Sequence, residues 1–134
     1  MPQMIFVNLP VKDLKASMAF FEALGFSFNP QFTDDTAACM VISDTIFTML
    51  LTHDKFASFS PKPIADTSKS LEVLTALSRD SREAVDEIVS AALAAGGTTY
   101  SEPKDYGFMY AHGFQDLDGH VWEVMWMDES ATQS

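Results

Sequence analysis

The 134-residue chain is 47% hydrophobic and carries 19 acidic against 8 basic side chains, a formal net charge of −11. That is enough apolar material for one compact domain, or two small halves sharing a core, and the acidic balance argues against nucleic acid and anionic membrane surfaces as partners. Cys39 stands alone, so no internal disulfide is possible. With no apolar run of membrane-spanning length and no room for a signal peptide before the first strand, a soluble cytoplasmic protein is expected.

Met4 to Pro10 reads as a short apolar strand. Asp13 is a good N-cap, and Leu14, Met18, Phe21 and Leu24 follow at helical spacing, with Phe20 beside them and Gly25 placed to end the helix. Phe26 to Phe28 starts a strand that Asn29-Pro30 interrupts. Thr36–Ile42 and Thr45–Thr52 flank the turn Ser43-Asp44 and read as a hairpin. Residues 53–70, with Pro61 and Pro63 and no clean periodicity, read as a connecting arm holding one helical turn near Asp54 to Ala57.

The pattern then repeats. Leu71–Ser78 reads as a strand, and Asp80-x-x-Glu83 as a capping box. The helix it opens has an apolar stripe of Ala84, Val85, Ile88, Ala91, Ala92 and Ala95, and Gly96-Gly97 closes it. Thr98–Ser101, Phe108–Gln115 and His120–Met127 supply three more strands. The chain is therefore two β-α-β-β-β modules, residues 4–52 and 71–128, within a single domain spanning residues 1–134. Asp13 and Asp80 are matched as the starts of the two helices, and the small, polar tail after Asp128 is expected to fray.

The most informative stretch runs from Asp116 to Asp128. Asp and Gly accept turn dihedrals, and the strand after them alternates and is rich in aromatic and β-branched residues. Period two places Val121, Glu123, Met125 and Met127 on one face and Trp122, Val124 and Trp126 on the other. A carboxylate in this company is costly to bury without a partner. Glu123 either lies on the wet face of a half-buried sheet or faces a cleft and does chemistry.

Asp116-Leu117-Asp118-Gly119-His120-Val121-Trp122-Glu123-Val124 resembles the closing hairpin of the vicinal-oxygen-chelate superfamily, which includes glyoxalase I, fosfomycin-resistance transferases, extradiol dioxygenases and bleomycin-resistance proteins. Val7-Asn8-Leu9-Pro10-Val11-Lys12-Asp13-Leu14, with Phe20-Phe21-Glu22-Ala23-Leu24-Gly25-Phe26, resembles its first strand and helix. The likeness covers nearly the whole chain and is more specific for the fold than for the reaction. It implies an α+β architecture: paired β-α-β-β-β modules whose curved mixed sheets form a cleft, with the helices outside, in a homodimer.

In most enzymes of the superfamily the residue matching Glu123 is a metal ligand. The resemblance puts the other three ligand positions at Phe6, at about Leu50 in Met49-Leu50-Leu51-Thr52, and at Leu74, so Glu123 alone keeps a ligand type. One carboxylate and water hold a dication weakly, and no metal or other cofactor is expected. The histidines do not obviously rebuild the site. His120 and Glu123, three apart on a strand, point opposite ways, and His53 at the start of the arm reads as a surface residue. His112 depends on the hairpin: a bulged loop at Gly119 sets Gly113 opposite Glu123 and turns His112 away, whereas a two-residue loop at Asp118-Gly119 turns it toward Glu123. The superfamily's hairpin shape favours the bulge.

No phosphate loop, Cys-x-x-Cys or nucleophile elbow is present, and Cys39 among apolar neighbours reads as a buried, inert thiol. Two functions are carried forward. One is a metal-independent protein binding a small, largely apolar molecule, with Phe6, Asn8, Leu50, Thr52, Leu74, Met109 and Met125 lining the cleft and Glu123 at its polar point. The other is an enzyme: a lyase or isomerase of the lactoylglutathione-lyase type with Glu123 as proton shuttle, or a dioxygenase-type metalloenzyme with relocated ligands.

Overall fold

The computed structural model describes residues 2–132, and the chain divides after Asp66 into two compact units. The first runs β1 (Ile5–Val11), α1 (Leu14–Ala23), β2 (Ser27–Asn29), a 3-10 turn at Pro30–Phe32, β3 (Ala37–Val41), β4 (Ile46–Thr52) and α2 (His53–Phe59). Its sheet has the order β1-β4-β3-β2, with β1 parallel to β4 and the other pairs antiparallel. The second unit repeats the plan with β5 (Thr75–Ser78), α3 (Arg82–Ala94), β6 (Lys104–Asp105), β7 (Met109–Gln115) and β8 (Val121–Met127). Its sheet order is β5-β8-β7-β6, with β5 parallel to β8. The expected α+β class and doubled module are what the chain adopts.

Local chemistry explains the element ends. The Asp13 carboxylate accepts from the Ala16 amide at 3.1 Å and opens α1, and Gly25, at φ +102°, lets the chain leave it. In the second helix the cap is Ser81 rather than Asp80: its Oγ accepts from the Ala84 amide at 3.1 Å. Glu83 then falls in the first turn without closing a capping box. Asn29 caps the 3-10 turn that Pro30 starts, which is why β2 is only three residues long.

Three expectations are corrected. The helical turn expected near Asp54 to Ala57 is longer than one turn: Thr52 Oγ1 accepts from the Lys55 amide and starts the seven-residue α2, which packs on β1 and β4. β5 begins at Thr75, not Leu71, because its parallel ladder starts at Thr75 opposite Trp122, one residue after β8 leaves its turn. Leu71, Val73 and Leu74 stay outside the strand and exposed. Thr98–Ser101 makes one isolated bridge, Thr98 to Gln115, and the edge strand beside β7 is Lys104–Asp105 instead.

Each unit has its own apolar interior. In the first, α1 contributes Leu14, Phe20 and Phe21, and the sheet contributes Leu9, Val11, Ala38, Met40 and Leu50. In the second, Val85, Ile88, Val89 and Ala92 of α3 are buried on the side of the sheet that carries Phe114, Trp122 and Val124. The Phe114 and Trp122 rings stack at 6.5 Å. The Tyr110 hydroxyl reaches Asp86 of α3 at 2.6 Å, and the Arg82 guanidinium lies 4.8 Å from the centre of the Trp126 ring. The predicted alternation of β8 therefore holds: Trp122, Val124 and Trp126 meet the helix, and Glu123 faces away from it. Among the described residues, no helix is long and apolar enough to cross a membrane.

Candidate functional site

The loop Asp116-Leu117-Asp118-Gly119 fixes where Glu123 stands. Gly119, at φ +85°, donates its amide to the Asp116 carbonyl at 3.1 Å, and the Asp116 amide donates to the His120 carbonyl at 3.0 Å. The Asp116 carboxylate, 6% exposed, ties the turn together from inside. Its Oδ1 accepts from the amides of Asp118 (2.9 Å) and His120 (3.0 Å), and its Oδ2 accepts from Trp122 Nε1 at 3.0 Å. Burial pushes the Asp116 carboxyl above its usual range, while the nearby His120 and these hydrogen bonds pull the other way. Outside the loop, the Thr67 hydroxyl donates to the Asp118 carbonyl.

This loop sets Gly113 directly opposite Glu123, so the bulged form is the one realised. His112 consequently shares the helix face with Tyr110 and Phe114, and its Nε2 lies 3.1 Å from the Ser101 carbonyl oxygen. His120 is buried beside Asp116. His53 is exposed at the first position of α2.

Glu123 stands on a floor of small side chains. Its cross-strand neighbours are Ala76 on β5 and Gly113 on β7, and Ala111, Met109 and Met125 continue the same face. Met109 and Met125 are half-buried there, as is Glu123 itself. Leu74, immediately before β5, is 57% exposed. Among the described residues, the Glu123 carboxylate accepts no hydrogen bond and meets no cationic side chain.

One further residue comes to this face, and the sequence reading missed it. The Tyr100 hydroxyl sits over Gly113 so closely that a Cβ at position 113 would lie 2.1 Å from the oxygen and 2.7 Å from Cζ. Burial, and then the charge of Glu123, push the Tyr100 phenol above its usual range, which places the two groups within electrostatic reach. The one sequence signal was Gly113 itself, since a glycine inside a strand often marks a close approach.

In the first unit, Phe6 and Asn8 share a face with Phe47, Met49 and Leu51, as the parallel register requires. The Phe6 and Phe47 rings stack at 4.9 Å. Leu50 and Thr52 do not share that face, which corrects their place among the expected lining residues. Leu50 pairs with buried Leu9 and is 0% exposed, while Thr52 pairs with buried Val11 and spends its hydroxyl on capping α2. The resemblance placed the position only to about Leu50, and one residue of register exchanges the two faces. A cavity of about 540 Å³ opens on the Asn8 side, lined by Asn8, Leu51, Phe56, Phe59, Ser60 and Pro61. Its size suits a small molecule, and Asn8 Nδ2 makes only a 3.4 Å contact with the Phe6 carbonyl.

The superfamily's metal does not fit these residues. Glu123 has Ala76, Gly113, Ala111 and Met125 around it on its own face and Leu74 beyond, none of which is a hard-cation ligand. Among the described residues no three His, Cys, Asp or Glu side chains form a group able to hold a metal ion.

Residues 3–43 match the family model described as bleomycin resistance protein-like N-terminal. A hypothetical protein from S. aureus is 31% identical, with a TM-score of 0.78 over 93% of this chain and 94% of that one. A glyoxalase/bleomycin resistance protein/dioxygenase family enzyme from Burkholderia phytofirmans PsJN is 21% identical, with a TM-score of 0.77 over 94% of this chain and 99% of that one. A lactoylglutathione lyase from Agrobacterium tumefaciens is 15% identical, with a TM-score of 0.67 over 94% of each chain, a likeness of fold alone. Among curated proteins none matches the chain.

Proposed function

Because the chain belongs to the vicinal-oxygen-chelate superfamily, we propose that it uses the superfamily's sheet face to bind a small, largely apolar molecule without a metal, and that Glu123 meets that molecule's polar end. The observation that carries this reading is the state of Glu123: half-buried, flanked by Ala76 and Gly113, and without a hydrogen-bonding or charged partner among the described residues. A carboxylate that has lost part of its water and gained no protein donor gains most from a donor brought by a ligand. Met109 and Met125 on the same face are unbranched and polarizable, and shape themselves to an apolar body. The lactoylglutathione-lyase reading has only a likeness of fold behind it. The protein is proposed to act in the cytoplasm as a homodimer.

The test is calorimetric titration of wild type and Glu123→Gln with a ligand found by thermal-shift screening. The substitution keeps the shape and removes the charge, so affinity is expected to change while the fold stays intact. Identical affinities in the two proteins would make Glu123 a structural residue.

A further inference from the structure

We propose that Tyr100 is the second ligand-contacting residue of the Glu123 site, and that the pair selects a polar end carrying a hydrogen-bond donor and an acceptor on neighbouring atoms, of which a primary carboxamide is the simplest. The inference rests on the reading of Glu123 given above and names the chemistry of its ligand.

The geometry comes from one backbone position. Gly113 lies directly opposite Glu123, and directly opposed residues of an antiparallel pair share a face, with Cβ positions about 5 Å apart. The Tyr100 hydroxyl occupies the place where a side chain at 113 would begin. It therefore stands on Glu123's face, roughly one cross-strand spacing away. Any Cβ at position 113 would also meet the Trp122 carbonyl oxygen at 2.9 Å, so the seat exists only because the residue is glycine.

The two groups are chemically complementary. An ionised carboxylate only accepts, whereas a phenol has an O–H to give. Burial and the neighbouring charge hold the Tyr100 phenol in its protonated, donating form. Among the described residues neither side chain is engaged in a hydrogen bond. An amide N–H₂ fits the acceptor and its carbonyl fits the donor. A bare ketone would leave Glu123 without a donor at a half-dry site, and an ammonium would bring a second charge to be stripped of water. Tyr100 is itself 44% exposed, so a ligand can reach it.

The experiment titrates benzamide, benzylamine and acetophenone, by ligand-observed NMR, against wild type, Tyr100→Phe and Glu123→Gln. These probes share a ring and differ in offering donor and acceptor, donor only, or acceptor only. Wild type is expected to prefer benzamide. Tyr100→Phe keeps the ring and removes one neutral hydrogen bond, so benzamide should weaken about five- to tenfold while benzylamine is unchanged. Unchanged benzamide affinity in Tyr100→Phe, no preference for benzamide in wild type, or no benzamide binding would each overturn the proposal. The failures separate cleanly. If Glu123→Gln shifts benzylamine while Tyr100→Phe shifts nothing, only the Tyr100 proposal falls. If Glu123→Gln shifts none of the three probes, the Glu123 reading falls with it.

Discussion

Replacing Asp116 tests whether the closing turn, and not β-propensity, holds β8 in the register that presents Glu123. The carboxylate is 6% exposed and accepts from three donors. Asp116→Ala takes the acceptor from all of them. Trp122 is 0% exposed and His120 7%, so their N–H groups find little water, at about 1–3 kcal/mol each, whereas the amide of Asp118 lies nearer the surface. Removing a buried carboxylate returns part of its desolvation cost, leaving an expected loss of about 3 kcal/mol. Asp116→Asn keeps an oxygen for the two amides but sets an N–H₂ against the indole N–H, for a loss of about 1–2 kcal/mol. Urea unfolding followed by tryptophan fluorescence measures both, and with a slope of about 1–3 kcal/mol/M the alanine midpoint should fall by on the order of 1–2 M. An alanine variant within about 0.5 kcal/mol of wild type would refute the reasoning.

The same residue sets a pH dependence. The Asp116 carboxyl lies above its ordinary 3.8 in the folded state, chiefly through burial. The folded state therefore holds this proton more tightly than the unfolded chain. The stability that protonation contributes is fully present below 3.8 and is lost as pH rises through the folded value. Wild type should lose stability relative to Asp116→Asn across that acidic window, and a difference independent of pH there would contradict the sign.

Other outcomes are as specific. Leu50→Ala, at a position 0% exposed, should cost about 2–5 kcal/mol, whereas Leu74→Ala, at 57% exposed, should change stability by no more than about 0.5 kcal/mol; chemical denaturation separates them, and a neutral Leu50→Ala would put that side chain back on an open face. Elemental analysis after exposure to nickel, zinc or manganese and dialysis should find no stoichiometric ion, because Glu123 lacks companion ligands; one tightly retained ion per chain would overturn this. Sedimentation should show a dimer, since edge strand β1 leaves Ile5 54% and Phe6 48% exposed, and a monomer at micromolar concentration would refute it.

Much of the fold could be read from short-range signals. Asp13 and Gly25 delimit α1, and the two-residue period of Val121–Met127 assigns both faces of β8. Gly119 anchors the hairpin register and so separates His112 from Glu123. What escaped depends on partners distant in sequence. Leu71–Leu74 has strand-like composition, but a parallel partner for it would have to lie before Trp122, where β8 has only just left its turn. Leu50 was misplaced because its face is set by pairing with Leu9, which no count along β4 reveals. Tyr100 reaches the site through an irregular segment whose path no periodicity encodes, so its seat on Gly113 had to be seen.

The parallel pairing at one edge of each sheet also orders how the sheets assemble. β3 and β4, like β7 and β8, are joined by short turns and can zip as hairpins on a microsecond scale. β1 and β5 cannot: Ile5 waits for Ile46, and Thr75 for Trp122, across an intervening helix and two strands. Closing those loops costs entropy before any ladder bond repays it. Loop-closure entropy thus favours adding last, in each sheet, the strand that comes first in its sequence. In the second unit that strand is the four-residue β5, which carries Ala76 to the flank of Glu123, so the small-residue floor depends on the pairing that loop-closure entropy disfavours most.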